Sequence, residues 1–390
     1  MSSRILLSIL ILFASLFGGF YQFRVRPYLI TAGVGRLVEP TGNDNCRAVP
    51  ELKACEKIVI HQPTGVLYLA CSTPASRTFW TPAVGRLNET AASRDDYVAT
   101  YDPSTSRVTR LKLQNFNSDR GLSVHGMDVV PSTSNPDRLF IYLVNHRAPL
   151  NGQPAKAVGA DSAIEVFETQ VGGSTLTHIK TIEDSTIITP NDITGYGDGK
   201  SFYVTNDHGE KISLWRYLDF LGRASTSVVY CNTDTGCKFA MINMHGNNGI
   251  VKAQNDTIYV ANVLGGGVSV LERQRDNTLV LSEYIKTDRG IDNLAIDTNG
   301  AVWAAGFTNA LTLVNKHFED PSVPCPSSAL RISINTGPSA FYGEKYKVEK
   351  VFEDDGSLAS GVTSAAYDSE RTRLFLHGLA SPQLVVCNFS

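Results

Sequence analysis

One pattern recurs six times along this chain: a polar residue or pair, a short apolar run, a turn rich in Pro, Gly, Asp or Asn, and a second run rich in aromatic residues. The copies are Glu56 leading 58–70, His125 leading 127–144, Asn191-Asp192 leading 193–204, Asn248 leading 250–261, Asp292-Asn293 leading 294–304, and Thr363-Ser364 leading 365–376. Apolar runs of this length, split by a tight turn, read as β-hairpins. Further strand-like runs at 98–101, 164–167, 228–230, 268–271, 311–314 and 346–351 enlarge each hairpin into a four-stranded unit. A repeated unit that cannot bury its own faces must stack on its neighbours. Six such units predict an all-β fold, a six-bladed β-propeller over residues 28–390, whose radial packing leaves only short strand edges exposed. Gly 32, Pro 17, Tyr 15 and Phe 17 against Met 4 suit short strands and many turns. A two-layer sandwich is the alternative, but no Ser/Gly/Pro linker marks the domain boundary that a sandwich of this length calls for.

Ahead of the repeats, Arg4 precedes an apolar run over 5–21, followed by Gln22, Arg24 and Arg26. Residues 1–27 read as an N-terminal hydrophobic helix serving as a signal peptide or a signal anchor; both fit, since the run is long for a cleaved signal and just short of the ~20 residues of a membrane span. The expected compartment is the secretory pathway, with the propeller secreted or membrane-anchored outside the cytosol and membrane or lipid association through this segment. Seven cysteines agree with that compartment. Cys55 and Cys71 lie on adjacent runs of one hairpin, Cys231 and Cys237 bracket a tight turn, and a link between Cys46 and Cys387 would close a circular fold. Cys325 is left over, and sequence alone does not fix the pairing. Sequons at Asn88, Asn255 and Asn388 are glycosylation candidates. With Lys+Arg 35 against Asp+Glu 38, the net charge of -3 lacks the basic excess that binding a phosphate backbone needs, which excludes nucleic acid as a partner.

If the first strand of each copy is the innermost, the polar leaders emerge together at one end of the central channel. Glu56, His125, Asn191, Asn248, Asp292 and Asn293 would then converge: two carboxylates, three amides and an imidazole. Hard oxygen donors of this kind suit Ca²⁺. His125 and His146 stand at the same rim and are the candidates for acid/base work, whereas His61, His178, His208, His245, His317 and His377 are expected to be structural or exposed. No Gly-x-Ser-x-Gly elbow and no His-Glu-x-x-His motif occurs, so serine α/β-hydrolase and zincin chemistry are unsupported. The glycines from Gly195 to Lys200 precede a strand, not a helix, and read as a hairpin turn.

His125-Gly126-Met127, Val144-Asn145-His146, Asn191-Asp192-Ile193, Thr205-Asn206-Asp207-His208, Asn248-Gly249-Ile250 and Asp292-Asn293-Leu294 occur in the order and approximate spacing of the serum paraoxonase/arylesterase family, which the chain resembles over nearly its whole length. The resemblance implies a six-bladed propeller with calcium in its tunnel, hydrolysing lactones and aryl esters. It places the catalytic calcium on Glu56, Asn191, Asn248, Asp292 and Asn293, a histidine dyad on His125 and His146, and the terminal disulfide on Cys46 and Cys387. Three positions depart from the family. Lys57 stands where an Asp serves a second, structural calcium, while Asp192 and Met127 remain, so a Lys57–Asp192 ion pair is expected to replace that ion and leave one calcium. Phe307 takes the place of a channel histidine, and Ser381-Pro382-Gln383 lacks the histidine before the last cysteine. The expected function is calcium-dependent hydrolysis of a small-molecule lactone or aryl ester. The alternatives are a gluconolactonase or strictosidine synthase-like propeller enzyme and a non-enzymatic calcium-bearing binding propeller.

Overall fold

A computed structural model describes residues 3–389. Six sheets of at least four strands are arranged around one axis. The hairpins read from the sequence form the inner half of each blade. Their first strands, Cys55–His61, Val124–Pro131, Pro190–Gly195, Asn247–Lys252, Ile291–Ile296 and Ser364–Asp368, lie next to one another in that order and close back on the first. Each blade then continues outward by antiparallel pairing, as in blade three through Ser201–Asn206, Thr226–Asn232 and Gly236–Met244. Blade two carries a fifth strand, because Lys112–Gln114 leaves blade one and pairs in parallel with 175–177.

The expected strand at 311–314 is helical instead, as Ala310–Thr312 and Leu313–His317. Asn309 caps this turn by accepting from Thr312 N at 2.9 Å, and a local side-chain cap of that kind competes with sheet pairing. The third strand of blade five is Ser327–Ile334, further along the chain.

The core lies between blade faces. Leu67, Leu69, Ala99 and Tyr101 of blade one meet Phe375, Leu384 and Val386 of blade six, and Trp303 stacks on Tyr367 at 4.1 Å between blades five and six. Blade six takes its outermost strand, Cys46–Val49, from the start of the propeller and pairs it with Leu384–Asn388. Cys46 lies opposite Cys387 in that register, and the two are disulfide-bonded. Cys55–Cys71 and Cys231–Cys237 each join facing strands of one blade, and Cys325 is a free, buried thiol.

The apolar N-terminal run is a helix over Ser3–Phe20, continued helically through Tyr21–Val25 and Arg26–Thr31 and not buried against the propeller. Its C-terminal end is tied to the propeller where Gly290 N donates to Thr31 O and Ala310 N donates to Ala32 O. Near its base Tyr28 packs edge-on against Phe220 at 5.6 Å. Phe220 belongs to the helical turn Leu214–Leu221, which exposes Leu214, Trp215 and Tyr217.

Candidate active site

The polar leaders reach the channel because each interrupts its own ladder. In five of the six inner strands the register slips at the leader. Glu56 falls between the pairs Cys55↔Cys71 and Lys57↔Ala70, Asn191 and Asp192 between Pro190↔Asn206 and Ile193↔Val204. Asn248 and Gly249 fall between Asn247↔Asn262 and Ile250↔Val260, and Asp292 and Asn293 between Ile291↔Gly306 and Leu294↔Ala304. His125 is passed over in the same way in blade two. A bulge frees a residue from pairing and re-aims its side chain. Two of the bulges contain glycine for lack of room. A Cβ on Gly126 would stand 2.3 Å from Asn191 O, and one on Gly249 would stand 2.6 Å from Asp292 O.

Glu56, Asn191, Asp292 and Asn293 are buried at this end of the channel, and Asn248 is half-buried. Asn293 Nδ2 donates to Glu56 Oε1 at 2.9 Å, and Thr363 Oγ1, from the leader of blade six, donates to Glu56 Oε2 at 2.7 Å. Asn191 Oδ1, Asn248 Oδ1 and Asp292 Oδ1 are buried acceptors without a hydrogen-bond partner. Burial raises the Glu56 carboxyl to about 7. Asp292 is held well above the usual carboxylate range, first by burial and then by the charges of Glu56 and Asp192. Carboxylates and amide oxygens crowded out of water call for a cation. Among the described residues no three histidine, cysteine or carboxylate side chains form a cluster of their own, so this set draws on amides for its donors. A carboxylate–amide set fits a hard, oxygen-seeking ion better than zinc or copper.

His125 and His146 are both buried, with ring centroids 5.1 Å apart. No direct hydrogen bond joins them: His125 Nδ1 and His146 Nε2 are both unpartnered. Asn191 Nδ2 lies 3.4 Å from His125 Nε2, tying the dyad to the carboxylate–amide set. His146 is fixed on three sides, by Ser162 Oγ at 2.8 Å from Nδ1, by Trp80 Nε1 donating to its carbonyl at 2.9 Å, and by its own N–H donating to Ser123 O. Burial, then Arg77 and Lys211, push the His146 imidazole down to about 3, and burial, then His146 and Arg77, push His125 well below its ordinary value. The pair is neutral at pH 7. Each of the other six histidines has a protein partner, as in His61 with Thr64 Oγ1, His178 with Glu165 and His208 with Asp219.

Next to Glu56 and Asn191, Lys57 Nζ donates to Asp192 Oδ2 and, at 3.1 Å, to Leu294 O. Asp192 Oδ2 also accepts from Ile250 N at 2.9 Å, so the pair links blades one, three, four and five. Phe307 packs with Leu313, Phe318 and Leu379, and Ser381 Oγ donates to Ser360 O, so both departure positions are absorbed into packing. The glycosylation candidates Asn88, Asn255 and Asn388 are all exposed; Ser390, which completes the last sequon, lies outside the described residues.

Four residues have roles at the site that a reading of the repeat does not give. Thr363 was visible as a leader, but its bond to Glu56 was not. Asp207, whose Oδ2 lies 3.4 Å from Asn191 Nδ2, sits at the far end of a hairpin. Arg77 and Trp80 lie on a segment between the second and third strands of blade one, at the helix Pro74–Phe79 and just after it, where no repeat signal reaches.

Fold and site together define a propeller with a carboxylate–amide centre beside a buried histidine pair. The sequence model of the arylesterase family matches residues 37–387, and the chain belongs to that family, making it a hydrolase of the ester and lactone type. Serum paraoxonase/arylesterase 2 of Gallus gallus is 24% identical over 341 residues, covering 86% of this chain and 87% of that protein. Serum paraoxonase/arylesterase 2 of Homo sapiens is 29% identical over 268 residues, covering 68% and 69%. Serum paraoxonase/lactonase 3 of Homo sapiens is 24% identical and covers 89% of each chain. Among solved structures, a luciferin-regenerating enzyme superposes with a TM-score of 0.51 at 13% identity, covering 88% of this chain and 95% of the other, a likeness of fold alone.

Proposed function

We propose that this hydrolase is calcium-dependent, with one catalytic Ca²⁺ held by Glu56, Asn191, Asn248, Asp292 and Asn293, and that it opens lactones and aryl esters. The observation that carries the reading is the set of unpartnered acceptors Asn191 Oδ1, Asn248 Oδ1 and Asp292 Oδ1 beside the Glu56 carboxylate. Calcium, when bound, would polarise the substrate carbonyl and stabilise the negative charge that develops on its oxygen. His125 is assigned the proton transfer: it is neutral, buried beside Asn191, and has a free Nδ1. His146 is assigned the orientation of His125, since Ser162, Trp80 and Ser123 hold it in place. The Lys57 ammonium is assigned the place of a second, structural cation, because it already neutralises Asp192.

The compartment is proposed to be non-cytosolic, on the strength of three disulfides and the unburied apolar helix. Trp215 and Tyr217, exposed beside the base of that helix, are residue types that favour an apolar–aqueous boundary, which supports membrane or lipid association on that side.

The test is a panel of lactones and phenyl acetate, assayed with calcium and after chelation. Hydrolysis that disappears with the ion and returns on its replacement is the expected result. Hydrolysis that survives chelation overturns the calcium assignment. Bound calcium without hydrolysis of any member overturns the proposed substrates in favour of a binding propeller.

A further inference from the structure

Among the described residues four lysine and arginine side chains are buried: Lys57, Arg77, Arg147 and Arg289. Three are paired with carboxylates, Lys57 with Asp192, Arg147 with Asp161 and Glu183, and Arg289 with Asp288 and Glu353. Arg77 is not. It is 2% exposed, and its Nε and Nη2 are buried without a hydrogen-bond partner. The carboxylates whose charges act on it are Asp96 and Glu56; neither is in ion-pair contact with it, and Asp96 is hydrogen-bonded by Ser72 Oγ at 2.6 Å and Val124 N at 3.0 Å. A buried guanidinium with unspent donors lowers stability, so its presence calls for a use.

Its position supplies one. Arg77 rides on a short helix capped by Thr73, which accepts from Ser76 N at 3.1 Å. The helix is pinned to the site from both sides, by Ser72 on Asp96 before it and by Trp80 on the carbonyl of His146 after it. Pro82, Ala83 and Leu87 of the same segment wall a cleft whose other side is His146, Asp207 and Lys211. The charge of Arg77 is felt by Glu56, His125 and His146, in keeping with the tie from Trp80 of the same segment to the His146 carbonyl at 2.9 Å. A planar fork of N–H donors matches a carboxylate in two-point contact.

We infer that Arg77 receives a carboxylate carried by the substrate, so that the preferred ester or lactone bears a second, free acid group beside the bond that is cut. The inference rests on the hydrolase reading for its reaction and on Arg77 for its specificity, and the two separate experimentally. The calcium-loaded full chain, Arg77→Gln and Arg77→Lys are compared on 4-nitrophenyl acetate and on the mono-4-nitrophenyl ester of glutaric acid, with glutarate binding measured by calorimetry and melting followed in parallel. The wild type is expected to favour the acidic ester, and Arg77→Gln to reduce that preference in kcat/KM, and the affinity for glutarate, by on the order of tenfold or more. Arg77→Lys retains part of both, having the charge without the fork. Equal losses on both esters, or glutarate binding indifferent to Arg77, would each overturn the anion site. If neither ester is cut while glutarate binding still depends on Arg77, the hydrolase reading falls and the anion site stands.

Discussion

The ammonium of Lys57 lies on the carboxylate of Asp192, both side chains almost wholly out of solvent and each one residue along the chain from a member of the channel set. The pair occupies with two side chains a position that would otherwise need an ion to hold Asp192 in its charged form. Metal analysis of the purified chain should find one calcium per chain, and a count of two would sink the substitution of lysine for an ion. Lys57→Met leaves Asp192 buried without a counter-charge and should cost about 3–5 kcal/mol in urea unfolding.

Ligand and proton-transfer roles should separate by mutation. Asn248→Ala removes an amide oxygen and should weaken calcium at least about tenfold in a titration with a metal buffer. His125→Gln should leave calcium affinity close to wild type while slowing lactone turnover by roughly 10²–10⁴. If His125→Gln turned over at the wild-type rate, a carboxylate such as Glu56 would have to be the base.

Acid stability should report His377. Its Nε2 lies 3.1 Å from Leu52 O, its Nδ1 accepts from Gly378 N at 2.7 Å, and burial lowers it to about 4. The folded value lies below the unfolded one near 6.5, so the unfolded chain binds the extra proton first. The contribution is therefore complete above pH 6.5 and is lost as pH falls towards 4, amounting to about 3 kcal/mol. Urea midpoints measured across that window should fall less steeply in His377→Gln; an identical slope would remove His377 from the account.

The disulfides should rank by the loops they close. Cys46–Cys387 spans 341 residues and Cys231–Cys237 only 6. Replacing the first pair by alanine should cost about 6 kcal/mol and the second about 2, if loop entropy sets the scale. Calorimetry of the two double variants checks the order, and a larger loss from the small loop would contradict it.

Sequence carried the architecture because the repeat is local: each leader, inner strand and turn fit within a few residues, and the hairpin cysteines mark facing strands. The convergence of the polar leaders was legible for the same reason, since Glu56, Asn191, Asn248 and the Asp292-Asn293 pair hold one phase of that repeat. What the repeat does not encode lies in the excursions between blades. Arg77 and Trp80 act on the site from a connection whose course depends on contacts with blade two, and 311–314 has the apolar look of a strand but follows a capping asparagine. The absence of a hydrogen bond between His125 and His146 is likewise a matter of side-chain placement, which spacing along a strand does not fix.

The strand Cys46–Val49 is made ahead of all six inner strands and pairs with Leu384–Asn388, with Cys387 following Cys46 by 341 residues. During elongation its edge, its thiol and one face of blade six therefore wait for a partner that does not yet exist, while the bridges at Cys55–Cys71 and Cys231–Cys237 can close as soon as their own hairpins emerge. Ring closure therefore waits for the sixth blade, and a chain truncated ahead of Cys387 would hold Cys46 open to exchange with other thiols.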